Sequence, residues 1–327
     1  MLSRVLNRET ASQTTESTFR FDWRRYVVFI AFLIIFAVFS VTLYDVGFLS
    51  LTNLINVVVQ SAIIAVMAVA MTFVISAAEI DLSVGSVAGL ASVTSALAVS
   101  QYGLLAGIAA GLLTGVIVGG INGILVAAIR IPSFLVTLGM LGIAVGTAMW
   151  ITSSAPVPIV NNTFNNIFGS GQIGPVPSLI LWVVVVLVIG YLVLRKTTYG
   201  RRVLATGGNE GAARFSGVDT RRIKFYVLLV SGIVASLAGM LYAGRLQSGR
   251  FSWGEGDELS VIAAVILGGT SLFGGYGTVI GSVLGAVLVG LINNGLTLMG
   301  LELSQQQIVR GAIIILAVAL ARKGPST

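Results

Sequence analysis

The sequence predicts an all-α polytopic membrane protein: about ten transmembrane helices, N- and C-termini cytoplasmic, and two inverted five-helix repeats. Three observations lead there. Of 327 residues, 56% are hydrophobic and only 9% charged, with a mean hydropathy of +0.99. An ordinary globular chain is about 25% charged, so this one lacks the charge to cover a water-facing surface. Apolar runs recur along its length, each near the roughly 20 residues that a bilayer-spanning helix needs. The basic residues fall between those runs. A soluble enzyme, a nucleic-acid binder and a disordered chain are excluded together.

Residues 1–25 are polar and mixed in charge, without an apolar stretch, and are expected to form a cytoplasmic tail with no cleaved signal peptide. Spans are expected near 26–44, 51–75, 84–101, 104–128, 134–152, 179–194, 225–243, 259–273, 279–297 and 307–321, followed by a short tail at 323–327. Barrel strands would alternate apolar and polar residues, and these runs do not. With both ends inside, ten spans place every basic residue except Arg245, Arg250 and Arg310 on the cytoplasmic side. One span more or fewer before residue 195 would put the basic loop 195–224 outside, against the positive-inside bias.

The two halves echo each other. Asp81-Leu82-Ser83-Val84 is matched by Glu258-Leu259-Ser260-Val261, and GVIVGGINGIL (115–125) by AVLVGLINNGL (286–296). The matched helices lie five spans apart and so cross in opposite directions, an arrangement known in transporters. The repeats are expected at about 26–178 and 179–322, convergence of glycine-rich helices being the plainer alternative. Glycine numbers 40 of 327 residues, above the usual ~7%. It recurs every fourth residue at Gly111, Gly115, Gly119 and Gly123, and again at Gly277, Gly281 and Gly285. Such a stripe lets a second backbone approach closely, within one subunit or across a dimer seam.

Few residues can carry chemistry. The chain has no Cys and no His, which removes thiolate and imidazole chemistry and any metal site built from them; no metal ligands are expected. Glu79, Asp81 and Ser83 lie between two apolar spans. Charges at membrane depth are costly and usually functional, so they are candidates for a pathway or gate; the plainer role is capping of the following helix by Asp81 or Ser83. The amides Asn122, Asn293 and Asn294, with Asn56 and Gln60, can bind a polyhydroxylated solute or join neighbouring helices. In the loop 195–224, Gly208 or Asn209 can start a short helix through Glu210, Ala212, Ala213, Arg214 and Phe215, with Ser216 and Gly217 at its end. Such a helix suits docking into a partner's groove. No GxxxxGK[ST] phosphate loop occurs, and there are only three lysines, so ATP cannot be held here by that mechanism.

Four segments resemble one family. GGNEGAARFSGVDTRRIKF (207–225), AAEIDLSVGSVAGL (77–90), ELSVIAAVILGGTSLFGGYGTVIG (258–281) and GLINNGLTLMG (290–300) are similar, in order, to segments of the ribose-type permeases, the membrane subunits of bacterial binding-protein-dependent ABC sugar importers. The resemblance runs from about residue 25 to 322 and implies a permease domain over 26–322 in the bacterial inner membrane. It further implies a second permease chain, identical or paralogous, and a cytoplasmic ABC ATPase docked on the coupling helix Gly208–Gly217. A periplasmic or lipid-anchored binding protein would deliver a monosaccharide. No cofactor is implied in this chain; ATP and Mg would be used by the partner. The segment before Glu258, in RFSWGEGDELS (250–260), departs from the family's usual Pro and Gly-Tyr before Glu-Leu; Trp253, Glu255, Asp257 and Glu258 are expected to face the binding protein. An ion-coupled secondary transporter using Glu79 or Asp81 is the alternative function; a passive channel would have no purpose for the short helix, and a membrane enzyme is disfavoured by the missing His and Cys.

Overall fold

A computed structural model describes residues 27–321. The expected tails 1–25 and 323–327 lie outside the described residues. Helices α1 (Val27–Thr42), α2 (Leu51–Ser76), α3 (Val84–Tyr102), α4 (Leu104–Ala127) and α5 (Ser133–Thr152) lead into an irregular stretch. There β1 (Val157–Pro158) precedes a short α6 (Asn162–Asn165), a π-helical turn at Asn166–Ser170, and the hairpin β2 (Gln172–Ile173) and β3 (Val176–Pro177). Then follow α7 (Ser178–Lys196), α8 (Thr198–Gly208), α9 (Glu210–Phe215), α10 (Thr220–Leu246), β4 (Ser248–Gly249), α11 (Asp257–Leu267), α12 (Val279–Leu298) and α13 (Leu303–Ala321). Strand β4 pairs antiparallel with β1.

Each of the ten expected spans falls on a helix, and among the described residues seven helices are long and apolar enough to cross a membrane. The longest, α2 and α10, have 26 and 27 residues, ~40 Å each at 1.5 Å per residue. Two expectations are corrected. The span expected at 259–273 ends as a helix at Leu267, because Gly269, Gly274 and Gly275 adopt positive φ, a backbone that terminates helices. The loop 195–224 is largely helical: α8 fills it before α9 begins, with the Thr197 side chain accepting from Gly200 N–H.

Helices α2, α3 and α12 form the buried centre, while α4, α5 and α7 turn apolar side chains outward. That exposure is expected of lipid-facing helices, since hydrocarbon tails are as apolar as leucine. The first glycine stripe is spent inside the chain. A Cβ on Gly115 would strike the Gly232 carbonyl and Ser236, one on Gly119 the Leu228 carbonyl, and one on Gly123 the Phe225 ring, all on α10. The second stripe seats α12: Gly277 meets Ser76, Gly281 the Gly268 carbonyl and Gly285 the Ala264 carbonyl.

Candidate functional site

Between α2 and α3 the chain leaves the helix for seven residues, Ala77–Ser83. Ala78 adopts φ +62, and the Ala77 N–H closes the last turn of α2 on Phe73 and Val74. Non-helical backbone inside a membrane bundle must find partners from neighbouring elements, and here it does. Ser133 Oγ accepts from Ile80 N–H at 3.0 Å and Thr137 Oγ1 from Leu82 N–H at 3.0 Å, both from α5. Gly275 N–H donates to the Ser76 carbonyl at 3.0 Å.

Asp81 is 1% exposed, and no cation lies in ion-pair range of it among the described residues. Three donors hold it: Ser83 N–H (2.9 Å) and Ser83 Oγ (2.6 Å) on Oδ1, and Ser231 Oγ of α10 (2.7 Å) on Oδ2. Asn122 of α4 donates to Ser83 Oγ at 3.0 Å, while its own Oδ1 has no partner among the described residues. The structure thus brings together Asp81, Ser83 and Asn122, and adds Ser231. It corrects the plainer role for Ser83, which occupies the N-cap position of α3 without a side-chain capping bond, while Asp81 accepts from the Ser83 N–H at the start of that helix. Ser83 sits in a right-handed helical conformation (φ −87, ψ −6) with its hydroxyl already committed to Asp81.

Glu79 points elsewhere. Its Oε1 lies 2.8 Å from Lys224 Nζ at the start of α10, and the same ammonium lies 2.8 Å from Glu210 Oε2 at the start of α9. Glu210 also holds Arg214 (2.8 Å) and accepts from Thr220 Oγ1 (3.0 Å). The hydrogen bond from Lys224, aided by Thr220 and Arg214, keeps the Glu210 carboxyl below its ordinary 4.5 despite partial burial.

Helix α9 is short and fully capped. The Asn209 side chain accepts from Ala212 N–H at 2.9 Å, and past its end Gly217 takes φ +82 while Val218 N–H returns to the Ala213 carbonyl. Gly208, Asn209, Glu210, Ala212, Ala213, Arg214, Ser216 and Gly217 therefore lie on one turn-helix-turn unit. Ala213 faces inward, while Ala212, Arg214 and Ser216 are exposed. Phe215 is 96% exposed.

The segment before α11 does not project as a free loop. Ser92 of α3 bonds both the N–H and the carbonyl of Arg250, and the carbonyls of Phe251 and Gly254 lie over Gly89 and Gly85. Residues 250–254 thus run antiparallel down two turns of α3, ~10 Å. Trp253 is half-buried, stacked on Tyr242 and donating to the Ser248 carbonyl at 2.9 Å. Asp257 accepts from Tyr242 Oη, and Glu258 reaches over Gly85. Glu255 is the exposed member of the four.

The late amides separate. Asn294 exchanges two hydrogen bonds with Asn53 of α2 (2.9 and 3.1 Å), joining α12 to α2. Asn293 is half-buried beside Ala263 and Ile313, and Asn56 and Gln60 are exposed. Neither late amide joins the Asp81 network. A cavity of about 820 Å³ opens beside α7, lined by Asn166, Gln172, Ser178 and Trp182, and it too stands apart from that network. Sequence reasoning missed Lys224, Ser231, Ser133, Thr137 and Asn53. Only Lys224 carried a signal: it is one of three lysines in a chain with few charges, placed at the mouth of a span.

Comparison with known proteins adds the following. Residues 53–318 match the family model described as "Branched-chain amino acid transport system / permease component". The chain is 43% identical over 286 residues to the probable ABC transporter permease protein YphD of Escherichia coli (strain K12), covering 87% of this chain and 85% of the relative. To the ribose import permease protein RbsC of the same strain it is 39% identical over 304 residues, 90% and 92% of the two chains. To the L-arabinose ABC transporter permease protein AraH of Azospirillum brasilense it is 36% identical over 294 residues, 89% and 85%. No solved structure matches the chain.

Proposed function

The chain belongs to the family of branched-chain amino acid transport system permease components, and from that premise we propose that it is the membrane subunit of an ATP-driven importer. Its solute is a monosaccharide or a related small solute. Relatives named for ribose and L-arabinose import are similar to this chain over nearly its whole length, which favours a sugar over a branched-chain amino acid. A separate cytoplasmic ATPase uses ATP and Mg, a solute-binding protein delivers the cargo on the other side, and a second permease chain completes the pore in the bacterial inner membrane.

The observation that carries this reading is α9. A six-residue helix capped at both ends, with a wholly exposed phenylalanine and Arg214 beside it, presents a rigid apolar knob on a basic surface. In this reading the Gly208–Gly217 unit docks in the ATPase, and alternating access follows from its movement.

Ten spans with both termini cytoplasmic belong to the same proposal, as do the two inverted repeats. In support, α4 packs on α10 much as α12 packs on α2, and α3 meets α4 and α10 as α11 meets α12 and α2. Exchanging the halves exchanges these pairs. Gly254, next to Glu255, lies over Gly85, ~25 Å down α3 from its far end at Tyr102, so the expectation that Trp253, Glu255, Asp257 and Glu258 face the binding protein is corrected. The ion-coupled alternative needs a carboxylate free to trade protons or ions with a pathway. Glu79 is paired with Lys224 and Asp81 holds three donors, so no observation favours it.

The test is a mild-detergent pull-down of the tagged chain from native membranes. The reading expects a co-purifying ATPase that is lost with Gly217→Arg, a residue whose left-handed backbone is strained for a side chain. Membrane insertion should persist. A chain that purifies without ATPase activity from membranes containing the partner overturns the reading.

A further inference from the structure

Three separate segments converge where α2 ends. The Lys224 ammonium sits between Glu79 of the break and Glu210 of α9, 2.8 Å from each, with its side chain 22% exposed and that of Glu79 8% exposed. Beside it the backbones touch without side chains between them. A Cβ on Gly207, at the end of α8, would strike the Ser76 carbonyl; one on Gly274 would meet the Gly207 carbonyl at 2.6 Å and Ala78 Cβ at 2.8 Å. The break continues two residues beyond Glu79 into Asp81, whose oxygens are tied to α10 and, through Ser83, to α4. A displacement of α9 therefore has a short, stiff route to the one non-helical segment between α2 and α3.

We infer that Lys224 is the positioning residue that transmits movement of α9 to the Ala77–Ser83 break, by holding Glu210 and Glu79 on one ammonium. The inference rests on the reading of α9 as the ATPase-docking helix. The bridge is suited to this because one side of it is largely withdrawn from water. An exposed pair is readily broken, whereas a partly buried carboxylate cannot release its cation cheaply. Glu79 thus has to follow Lys224, and Lys224 has to follow Glu210. Arg214 and Thr220 fix the Glu210 carboxylate from its other side, so α9 cannot slide without taking the ammonium along.

The chain has no cysteine, so thiol labels can be placed one pair at a time. Two pairs of spin labels share Tyr102→Cys at the far end of α3: one with Ser216→Cys behind α9, the other with Ala78→Cys in the break. All three positions are exposed, and α3 alone separates its ends by ~28 Å, within range of pulsed dipolar spectroscopy. Distances are read in the complex purified from native membranes, nucleotide-free and trapped with ATP and vanadate.

The inference expects both distances to shift on trapping in the parent chain and with Lys224→Arg. With Lys224→Gln or Glu79→Gln, the Ser216–Tyr102 shift should remain and the Ala78–Tyr102 shift should be lost. Retention of the Ala78 shift in both neutral variants overturns the relay, as does a parent chain in which only Ser216 moves. If neither neutral variant reaches the membrane folded, the bridge is a folding element and the relay is overturned. A parent chain in which Ser216 does not move at all, or that brings no ATPase with it, sinks the docking reading instead.

Discussion

Ser231, in the interior of α10, donates its hydroxyl to Asp81 Oδ2 at 2.7 Å across 150 residues of sequence. That bond fastens the break after α2 to a helix from the other half of the chain. Ser231 is completely buried, so water cannot take its place. Ser231→Ala leaves a buried carboxylate one donor short, which costs roughly 1–3 kcal/mol. The expected outcome is a lowered Tm in detergent, with Ser231→Thr closer to the parent than Ser231→Ala.

Glycines divide into those that touch backbone and those that touch nothing. Gly115 faces the Gly232 carbonyl and Ser236, while Gly139 of α5 has nothing within 4 Å of where a Cβ would stand. Gly115→Leu must push α4 off α10, at the upper end of overpacking costs, about 3 kcal/mol or more. Gly139→Ala should be neutral or gain up to ~1 kcal/mol of helix propensity. Thermal unfolding of the two variants side by side checks the contrast; equal Tm values would remove the α4–α10 seam from this account.

Phe215 is the side chain on α9 with most to gain from a partner. Buried aromatic anchors at interfaces commonly account for about 2 kcal/mol or more each, roughly 30-fold in Kd. Phe215→Ala should weaken ATPase retention by about that factor while leaving the Tm of the isolated chain unchanged. Binding equal to the parent would place the docking surface elsewhere.

Acid should loosen the α9 cluster in a defined direction. Glu210 is held below its ordinary 4.5, first by Lys224 and then by Thr220 and Arg214. Its folded value lies under its unfolded one, so its contribution is fully present above pH 4.5 and is lost as pH falls through the lower folded value. A spin label at Ser216→Cys should stay immobile from neutral pH down to about pH 5 and gain mobility only in stronger acid. Glu210→Gln should show a mobile label with no such transition. Mobility that rises already near neutrality would contradict the assignment.

The helices were legible because each is an apolar run that loses its backbone polarity only by coiling. The short helix at Glu210–Phe215 was legible too, since Asn209 and Gly217 mark its ends. Other features depended on distant backbone. Leu267 ends α11 because the glycines after it take left-handed conformations, yet GGTS in a hydrophobic stretch reads as helix. Helix α8 was hidden by its basic residues, which read as loop. The candidate site was half visible: Glu79 and Asp81 stood out as charges in an apolar setting, but their partners Lys224 and Ser231 are far along the chain and lie in a helix of ordinary composition. Glu79 and Asp81, two residues apart, were read as one pair. The irregular backbone of the break turns them apart, Glu79 to the ion cluster and Asp81 to the buried hydroxyls.

The descending segment that lies along α3 also governs how the protein can be made. Ser92 takes both polar groups of Arg250, Asp81 takes the hydroxyl of Ser231, and Glu79 takes the ammonium of Lys224. Each of these groups in the first half leaves the ribosome long before its partner does. A nascent chain that has released only α1 to α5 carries Glu79 without Lys224 and Asp81 without Ser231, and charges at membrane depth are costly. The first half therefore gains its last polar partners only once α10 and the residues after it have been synthesised.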